Sequence, residues 1–391
     1  MALPALIEPG SALSRGEINR YSRHLLIPNV GVIGQRRLKN ARVLVIGAGG
    51  LGAPTLLYLA AAGVGTLGVI DFDRVDESNL QRQVIHSVDT VGEFKVESAR
   101  RAVARLNPHI EVEIHADRLE RDMAVALFSR YDLILDGTDN FATRYLVNDA
   151  CVLARKPYVW GSIFRFEGQV SVFWEGAPDG RGLDYRDLYP EPPPPDMAPS
   201  CAEGGVLGVL CASIGSIMAT EAIKLITGIG EPLLGRLLVY DALELRYREL
   251  PIRRLPGRQA VTELADDYQR FCGLGAASEA AAASVPGISA VECKALMDRD
   301  AGIILIDVRE PTEWEIVRIP GSTLVPKHPE VADVLLREYG REANLVIGCK
   351  SGRRSAEVTA ELLKLGMRNA RNLEGGVLAW VRDVDPGLPS Y

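Results

Sequence analysis

Apolar positions in the first half of the chain fall into short blocks whose period switches back and forth. Arg42–Ile46 is a β-branched apolar run met at once by a glycine-rich turn, and Ala53–Ala62 then carries the small and apolar residues of a packed helix. A second strand is expected at Thr66–Asp71. Helix and strand go on alternating through Lys95–Leu106, Glu111–His115, Arg121–Phe128 and Asp132–Asp136. This alternation predicts an α/β fold, a doubly wound parallel sheet with helices on both faces. Ligands on such sheets sit beyond the carboxyl ends of the strands, so Gly47, Asp71 and Asp139 are expected to converge on one crevice.

After Tyr158 the pattern changes to adjacent strand-like runs, Gln169–Trp174 and Leu237–Tyr247, which read as an antiparallel extension of the sheet. Between them Pro190–Cys201 contains four consecutive prolines, at 192 to 195, and is therefore extended. It is either a stiff surface connector or a mobile loop presenting Cys201. Gly204–Ile226 is apolar enough to raise the question of a membrane span. Ser213, Ser216, Glu221 and Lys224 interrupt it, and its many glycines and alanines suit a buried helix lying close on a sheet. From Leu255 to Pro286 the periodicity is lost, and Gly273–Ser284 has the composition of a low-complexity linker. A smaller α/β pattern then restarts, with strands at Ile303–Asp307 and Asn344–Cys349 and a helix at Ser355–Leu365 ended by Gly366. The expected organisation is a first domain over 1–254, a linker over 255–286 and a second domain over 287–391.

A length of 391 residues agrees with two or three compact units. With 47% apolar and 24% charged residues the composition is that of an ordinary soluble protein. The net charge of -7 argues against a nucleic-acid binder working through a general basic surface, yet leaves room for local phosphate-holding patches. Six cysteines, at 151, 201, 211, 272, 293 and 349, include no C-x-x-C pair, which excludes a disulfide framework and a zinc spacing. The first twenty residues lack the basic start and apolar run of a signal peptide. The expected location is the cytoplasm.

The turn Gly47-Ala48-Gly49-Gly50-Leu51-Gly52 is a G-x-G-x-x-G between a strand and a helix, where backbone N–H groups approach a phosphate-bearing ligand. Asp71, ending the next strand, is placed to bond a ribose hydroxyl. Alone these say only that a nucleotide binds, and a Rossmann-like NAD-dependent oxidoreductase stays open. Arg82 and Lys95 shift the balance toward ATP, because two fixed cations suit the charge that develops in nucleotidyl transfer. Asp139, in Asp136-Gly137-Thr138-Asp139-Asn140, offers a hard oxygen to magnesium. Hydride transfer needs neither.

Taken together, R-Y-S-R-H-L-L-I-P at 20 to 28, the glycine turn, D-F-D at 71 to 73, S-N-L-Q-R-Q at 78 to 83, the Lys95 segment and D-G-T-D-N at 136 to 140 resemble the MoeB/ThiF group. These are adenylyltransferases related to ubiquitin-activating enzymes, and the similarity covers most of residues 15 to 250. The resemblance implies that ATP and magnesium adenylate the C-terminal glycine of a small ubiquitin-like sulfur-carrier protein ending in Gly-Gly. It implies that Gly49 and Gly50 face the nucleotide and that Asp71 holds the ribose. Ser78, Asn79, Arg82 and Lys95 would grip the phosphates, and Asp139, beside Asn140, would bind magnesium. Arg23 would reach the site of a partner subunit, hence a homodimer. Many members carry two C-x-x-C pairs around a structural zinc. Here Asp184 and Asp187 stand at the first pair's positions and no pair follows Leu250, so no structural zinc is expected. E-P-P-P-P-D-M-A-P-S-C-A-E-G-G-V-L-G, 191 to 208, also resembles the group, in which a cysteine at the place of Cys201 forms a covalent link with the carrier.

In Cys349-Lys350-Ser351-Gly352-Arg353-Arg354-Ser355 a strand passes through a loop into a helix. Such a loop surrounds sulfur with N–H donors and the positive end of a helix, stabilising an anion. Persulfide transfer and cysteine-dependent phosphate hydrolysis both use this geometry. The phosphatase spacing C-x5-R needs arginine where this chain has Ser355, so sulfur is the better fit. L-I-D-V-R-E-P-T-E-W at 305 to 314, I-P-G-S at 319 to 322, the Cys349 loop and E-G-G-V-L-A-W at 374 to 380 resemble a rhodanese domain over about 287 to 391. The resemblance implies that Cys349 carries a persulfide loaded by a donor. Asp307 and Arg309 are expected to order the fold around the loop, and Cys272 and Cys293 to be structural. Adenylation joined to sulfur delivery would yield a thiocarboxylated carrier for molybdopterin (molybdenum cofactor), thiamine or cysteine synthesis. A non-catalytic scaffold for ubiquitin-like proteins is the remaining alternative.

Overall fold

The computed structural model describes residues 3–193, 204–272, 285–299 and 302–391. Two compact units divide the chain between Cys272 and Gly273.

The first unit is built on an eight-stranded sheet. Its strands are β1 (Arg42–Ile46), β2 (Thr66–Ile70), β3 (Glu111–His115), β4 (Leu133–Asp136), β5 (Tyr158–Phe164), β6 (Glu167–Phe173), β7 (Arg236–Asp241) and β8 (Arg246–Pro251). Their order is β3-β2-β1-β4-β5-β6-β7-β8, parallel from β3 to β5 and antiparallel from β5 to β8. This is the doubly wound α/β sheet with the expected antiparallel extension. Side chains alternate across its faces. Val43, Val45, Leu67, Val69, Leu133 and Leu135 join one core cluster with residues of helices Gly52–Ala62 and Gly208–Thr227, while Leu44 and Ile134, the alternate positions, are equally buried. A sheet covered on both faces explains why its strands read as unbroken apolar runs.

Gly208–Thr227 is, among the described residues, long and apolar enough to cross a membrane. In this fold 56% of its most apolar window is buried, and the helix packs on Gly52–Ala62 and on β5 and β6.

The structure departs from the sequence pattern in two places. Leu237–Tyr247 is not one strand but the closing part of a hairpin, β7 to β8, with Tyr240 opposite Tyr247 and their rings stacked at 4.4 Å. The turn hides because Leu243 and Leu245 continue the apolar alternation while standing exposed. Asp241 makes the turn by accepting the N–H groups of Leu243 and Glu244 at 2.9 and 3.1 Å. Residues 255–272, expected in the linker, fold onto the first unit. Arg258 pairs with Asp187, the Tyr268 hydroxyl donates to Asp149 at 2.7 Å, and Cys272 is buried. These partners lie far away in sequence, so no local period announces them.

The second unit carries a five-stranded parallel sheet, β9 (Gly287–Ile288), β10 (Ile303–Asp307), β11 (Thr323–Leu324), β12 (Asn344–Gly348) and β13 (Arg371–Leu373), in the order β11-β10-β12-β13-β9. Leu305 and Val346 face one core cluster with Trp380, and Ile306, Leu345 and Ile347 face another with Val358 and Leu362. Helix Arg353–Lys364 follows β12 after a short loop.

Candidate functional site

Gly47, Asp71 and Gly137 follow the carboxyl ends of β1, β2 and β4, and a cavity of about 550 Å³ opens there. Gly47, Asp71 and Asp139 all stand on its wall, as the strand order requires. The turn after β1 closes on itself so tightly that a Cβ at Gly52 would lie 1.8 Å from the Gly47 carbonyl oxygen. Only glycine fits. Gly49 and Gly50 line the cavity. Asp71 accepts the Ala48 N–H through Oδ2 and the Asp73 N–H through Oδ1, each at 2.8 Å, so its carboxylate anchors the turn as well as facing the cavity. Burial raises its pKa against the pull of Lys95 and of those two N–H groups.

Arg82 and Lys95 are both on the wall. The Arg82 guanidinium donates to the Ser78 carbonyl at 3.1 Å, and buried Lys95 is paired with Asp73 at 2.9 Å. Asp139 is an open carboxylate on the same wall. Nearby Asp136 is fully buried, its Oδ1 accepting from Thr138 while Oδ2 has no partner. The open carboxylate of Asp139 offers the hard oxygen that magnesium prefers. Asn140 also reaches the wall, but its side-chain oxygen caps helix Phe141–Ala154 by accepting the Thr143 N–H at 2.9 Å.

Ser78, Asn79 and Arg23 do not line the cavity. Ser78 and Asn79 belong to a short capped turn in which Asp76 accepts from Ser78 and Asn79 accepts from Asp76 N–H. Arg23 is exposed on helix Ser22–Leu25. Cys201 lies outside the described residues.

Sequence reasoning missed several wall residues. Gln83 is buried with an unpartnered Oε1, although it ends a motif already singled out. Arg144 is buried, donates to the Thr138 carbonyl and to Ser162, and stacks its guanidinium near Phe141 and Trp160. It sits one helical turn beyond Asn140, a spacing that marks it as facing the same way. Asp266, Asp267, Tyr268 and Gln269 complete the wall, and nothing local signals them.

In the second unit Cys349 follows β12 and is buried. Its sulfur accepts the Gly352 N–H at 3.2 Å, and the Ser355 hydroxyl lies 3.3 Å from the sulfur and 2.6 Å from Asn372 Oδ1. Gly352 turns the chain at φ 92, a conformation other residues resist, and leads directly into helix Arg353–Lys364. Arg354 donates both arms to Glu313, at 2.8 and 2.7 Å. Burial would raise the Glu313 carboxyl, but bonds from Arg354, the Glu310 N–H and Tyr391 prevail and hold it down at about 2. Asp307 and Arg309, both buried, bond each other and tie Arg309 to the Val317 carbonyl and to Tyr391.

Asp184 and Asp187 share a corner with Glu175, and the ligand oxygens of the three lie within 4.8 Å of one another. Arg258 fills the space between them, 2.8 Å from Asp184, 2.9 Å from Asp187 and 3.6 Å from Glu175. Burial pushes Asp184 up to about 6 even with Arg258 pulling the other way. Structural zinc asks for thiolates or imidazoles. Three carboxylates already paired with a guanidinium do not fit it. The purified chain is expected to hold far less than one zinc, with a thermal midpoint indifferent to EDTA. Arg258→Ala, which leaves buried carboxylates uncompensated, is expected to cost about 3–5 kcal/mol. Stoichiometric zinc by elemental analysis would contradict this.

A chain with both of these sites is equipped to activate a group with a nucleotide and to hand on sulfur, which defines an adenylyltransferase joined to a sulfurtransferase. Comparison with known proteins agrees. The ThiF family model matches residues 21–260, and the rhodanese-like domain model matches residues 289–383. This chain belongs to the ThiF family and carries a rhodanese-like domain behind it. A Mycobacterium tuberculosis protein described as probable adenylyltransferase/sulfurtransferase MoeZ is 61% identical over 390 residues, covering 100% of this chain and 99% of its own. The adenylyltransferase and sulfurtransferase MOCS3 of Drosophila yakuba is 40% identical over 409 residues, covering 99% of this chain and 89% of its own. Among solved structures, E. coli MccB with MccA-N7isoASN has a TM-score of 0.55 at 24% identity, over 64% of this chain and 75% of that one, a likeness of fold.

Proposed function

We propose that the first unit uses ATP to adenylate the C-terminal glycine of a small ubiquitin-like sulfur carrier ending in Gly-Gly, and that the second unit supplies the sulfur that makes it a thiocarboxylate. The observation that carries this reading is the single cavity wall that gathers the glycine turn, Asp71, Arg82, Lys95 and Asp139. In the first step the carrier carboxylate attacks the α-phosphorus in line and pyrophosphate leaves. No protein nucleophile is needed, so catalysis is positioning plus stabilisation of developing charge. Glycine N–H groups and Asp71 orient the nucleotide, and Arg82 and Lys95 meet the phosphate charge. Asp139 is the residue that would hold magnesium, which when bound neutralises phosphate oxygens.

Sulfur enters from a persulfide on Cys349, charged by an external persulfide donor. Cys201, which we assign to a covalent link with the carrier, first attacks the acyl-adenylate and displaces AMP to form a thioester. The outer persulfide sulfur then attacks that acyl carbon and expels the Cys201 thiolate. The acyl disulfide so formed is then cleaved by a thiol, which is left joined to Cys349 until reduced. Such thiol chemistry belongs in a reducing cytoplasm. We further propose a homodimer in which Arg23 serves the neighbouring subunit. The exposed apolar side chains of Leu26, Val32 and Ile33 beside it support a covered face.

Pyrophosphate–ATP exchange tests the reading. Exchange should require a carrier ending in Gly-Gly and disappear in Asp139→Ala. Absence of exchange with every such carrier would sink it.

A further inference from the structure

His86 is buried, lies outside every motif discussed above, and touches the nucleotide turn directly. Its Nε2 is 2.9 Å from the Ala48 carbonyl oxygen, and its Nδ1 is 2.9 Å from the Ser98 hydroxyl on helix Lys95–Leu106. Ser98 in turn lies 3.1 Å from the Thr90 hydroxyl, which donates to the Ser87 carbonyl at 2.8 Å. All of His86, Thr90 and Ser98 are buried.

Proton counting assigns the ring. A carbonyl oxygen has no proton to give, so the contact with Ala48 is a bond only if Nε2 carries one. Thr90 has committed its proton to Ser87 and therefore accepts from Ser98, so the Ser98 contact does not assign Nδ1. Burial lowers the pKa of the imidazole, and the charge of Lys95 adds to this, while the Ala48 carbonyl opposes both. A ring with hydrogen on Nε2 satisfies the Ala48 contact, the one that faces the nucleotide turn. The other neutral tautomer would set a lone pair against the Ala48 carbonyl.

The consequence falls on Gly49. Asp71 already holds the Ala48 N–H at 2.8 Å, so Ala48 is gripped on both its N–H and its C=O. The carbonyl of Ala48 shares a planar trans peptide with the N–H of Gly49, and the two point in opposite directions. Fixing one on His86 turns the other away from it, and Gly49 stands on the cavity wall. We propose that His86 is a positioning residue for nucleotide binding. Its Nε2–H fixes the Ala48–Gly49 peptide so that the Gly49 N–H is presented to phosphate oxygens.

This inference rests on reading the cavity as the ATP site. ATP affinity of the full chain, measured by calorimetry beside the thermal midpoint, tests it without a carrier protein. His86→Ala should weaken ATP binding about tenfold, the size of one neutral hydrogen bond. His86→Gln, which carries an N–H at the reach of Nε2, should recover to within about threefold. Sulfur transfer from thiosulfate to cyanide should be unchanged in both. Nitrogen-15 spectra of the wild-type imidazoles should show hydrogen on His86 Nε2. An unaltered affinity in His86→Ala, a glutamine variant as weak as the alanine one, or an Nδ1–H signature would each overturn the proposal. A wild-type chain that binds no ATP would instead overturn the reading of the cavity. If the alanine variant fails to fold, the wild-type spectrum and His86→Gln still decide.

Discussion

Arg82→Ala is expected to lower carrier-dependent pyrophosphate–ATP exchange by about two to three orders of magnitude and to leave thiosulfate–cyanide sulfur transfer at the wild-type rate. The size follows from how the two wall cations are engaged. Lys95 is neutralised locally by Asp73 at 2.9 Å, whereas the Arg82 guanidinium bonds a backbone carbonyl and, among the described residues, has no carboxylate in ion-pair reach. Its full charge is therefore available to phosphate oxygens at the moment negative charge builds up. Lysine at position 82 should restore only part of the loss, because a point charge does not reproduce the planar fork of a guanidinium. Exchange rates are read directly from labelled pyrophosphate entering ATP. A variant within about threefold of wild type would show that Lys95 and the glycine turn suffice.

The second large effect lies in the other unit. Cys349→Ala should abolish sulfur transfer, by at least about a thousandfold, while exchange continues unchanged. No nearby thiol can take over. Cys293, the other cysteine of that unit, is buried in helix Ala290–Asp298, and burial pushes its thiol up to about 11, leaving almost no thiolate at neutral pH. Cys349 differs in having the Gly352 N–H on its sulfur and the start of a helix behind it. Mass spectrometry after thiosulfate treatment should find one added sulfur atom on the peptide bearing Cys349 and none in the variant. Residual turnover above about a tenth of wild type would mean that sulfur travels by another thiol.

Features whose geometry is encoded within a few neighbouring residues could be read from the sequence. The glycine turn, Asp71 at the end of its strand and the Cys349 loop all belong to this kind, since strand, turn and helix follow one another without interruption. Ser78 and Asn79 show the limit of that approach. They sit inside the right string, yet the turn uses their side chains to cap itself, and they stay off the cavity wall. Arg144 and Gln83 were hidden by their chemistry, because burial of one arginine or one glutamine leaves no periodic trace. The segment 264–272 was hidden by distance. Tyr268 finds Asp149 119 positions away, and a stretch without apolar rhythm was read as linker when it is wall. The hairpin β7–β8 was hidden by two exposed leucines that keep the rhythm going through a turn.

At the corner of Glu175, Asp184 and Asp187 it is a guanidinium, that of Arg258, that gathers the carboxylates. Neither a guanidinium nor a carboxylate is touched by peroxide or by a shortage of zinc. Oxidative stress on a cell carrying this enzyme would therefore spare this corner and fall instead on thiols such as Cys349 of the sulfur loop and Cys201. The loss would register as sulfur not delivered, and reduction of those thiols would restore it while the corner held by Arg258 kept its shape throughout.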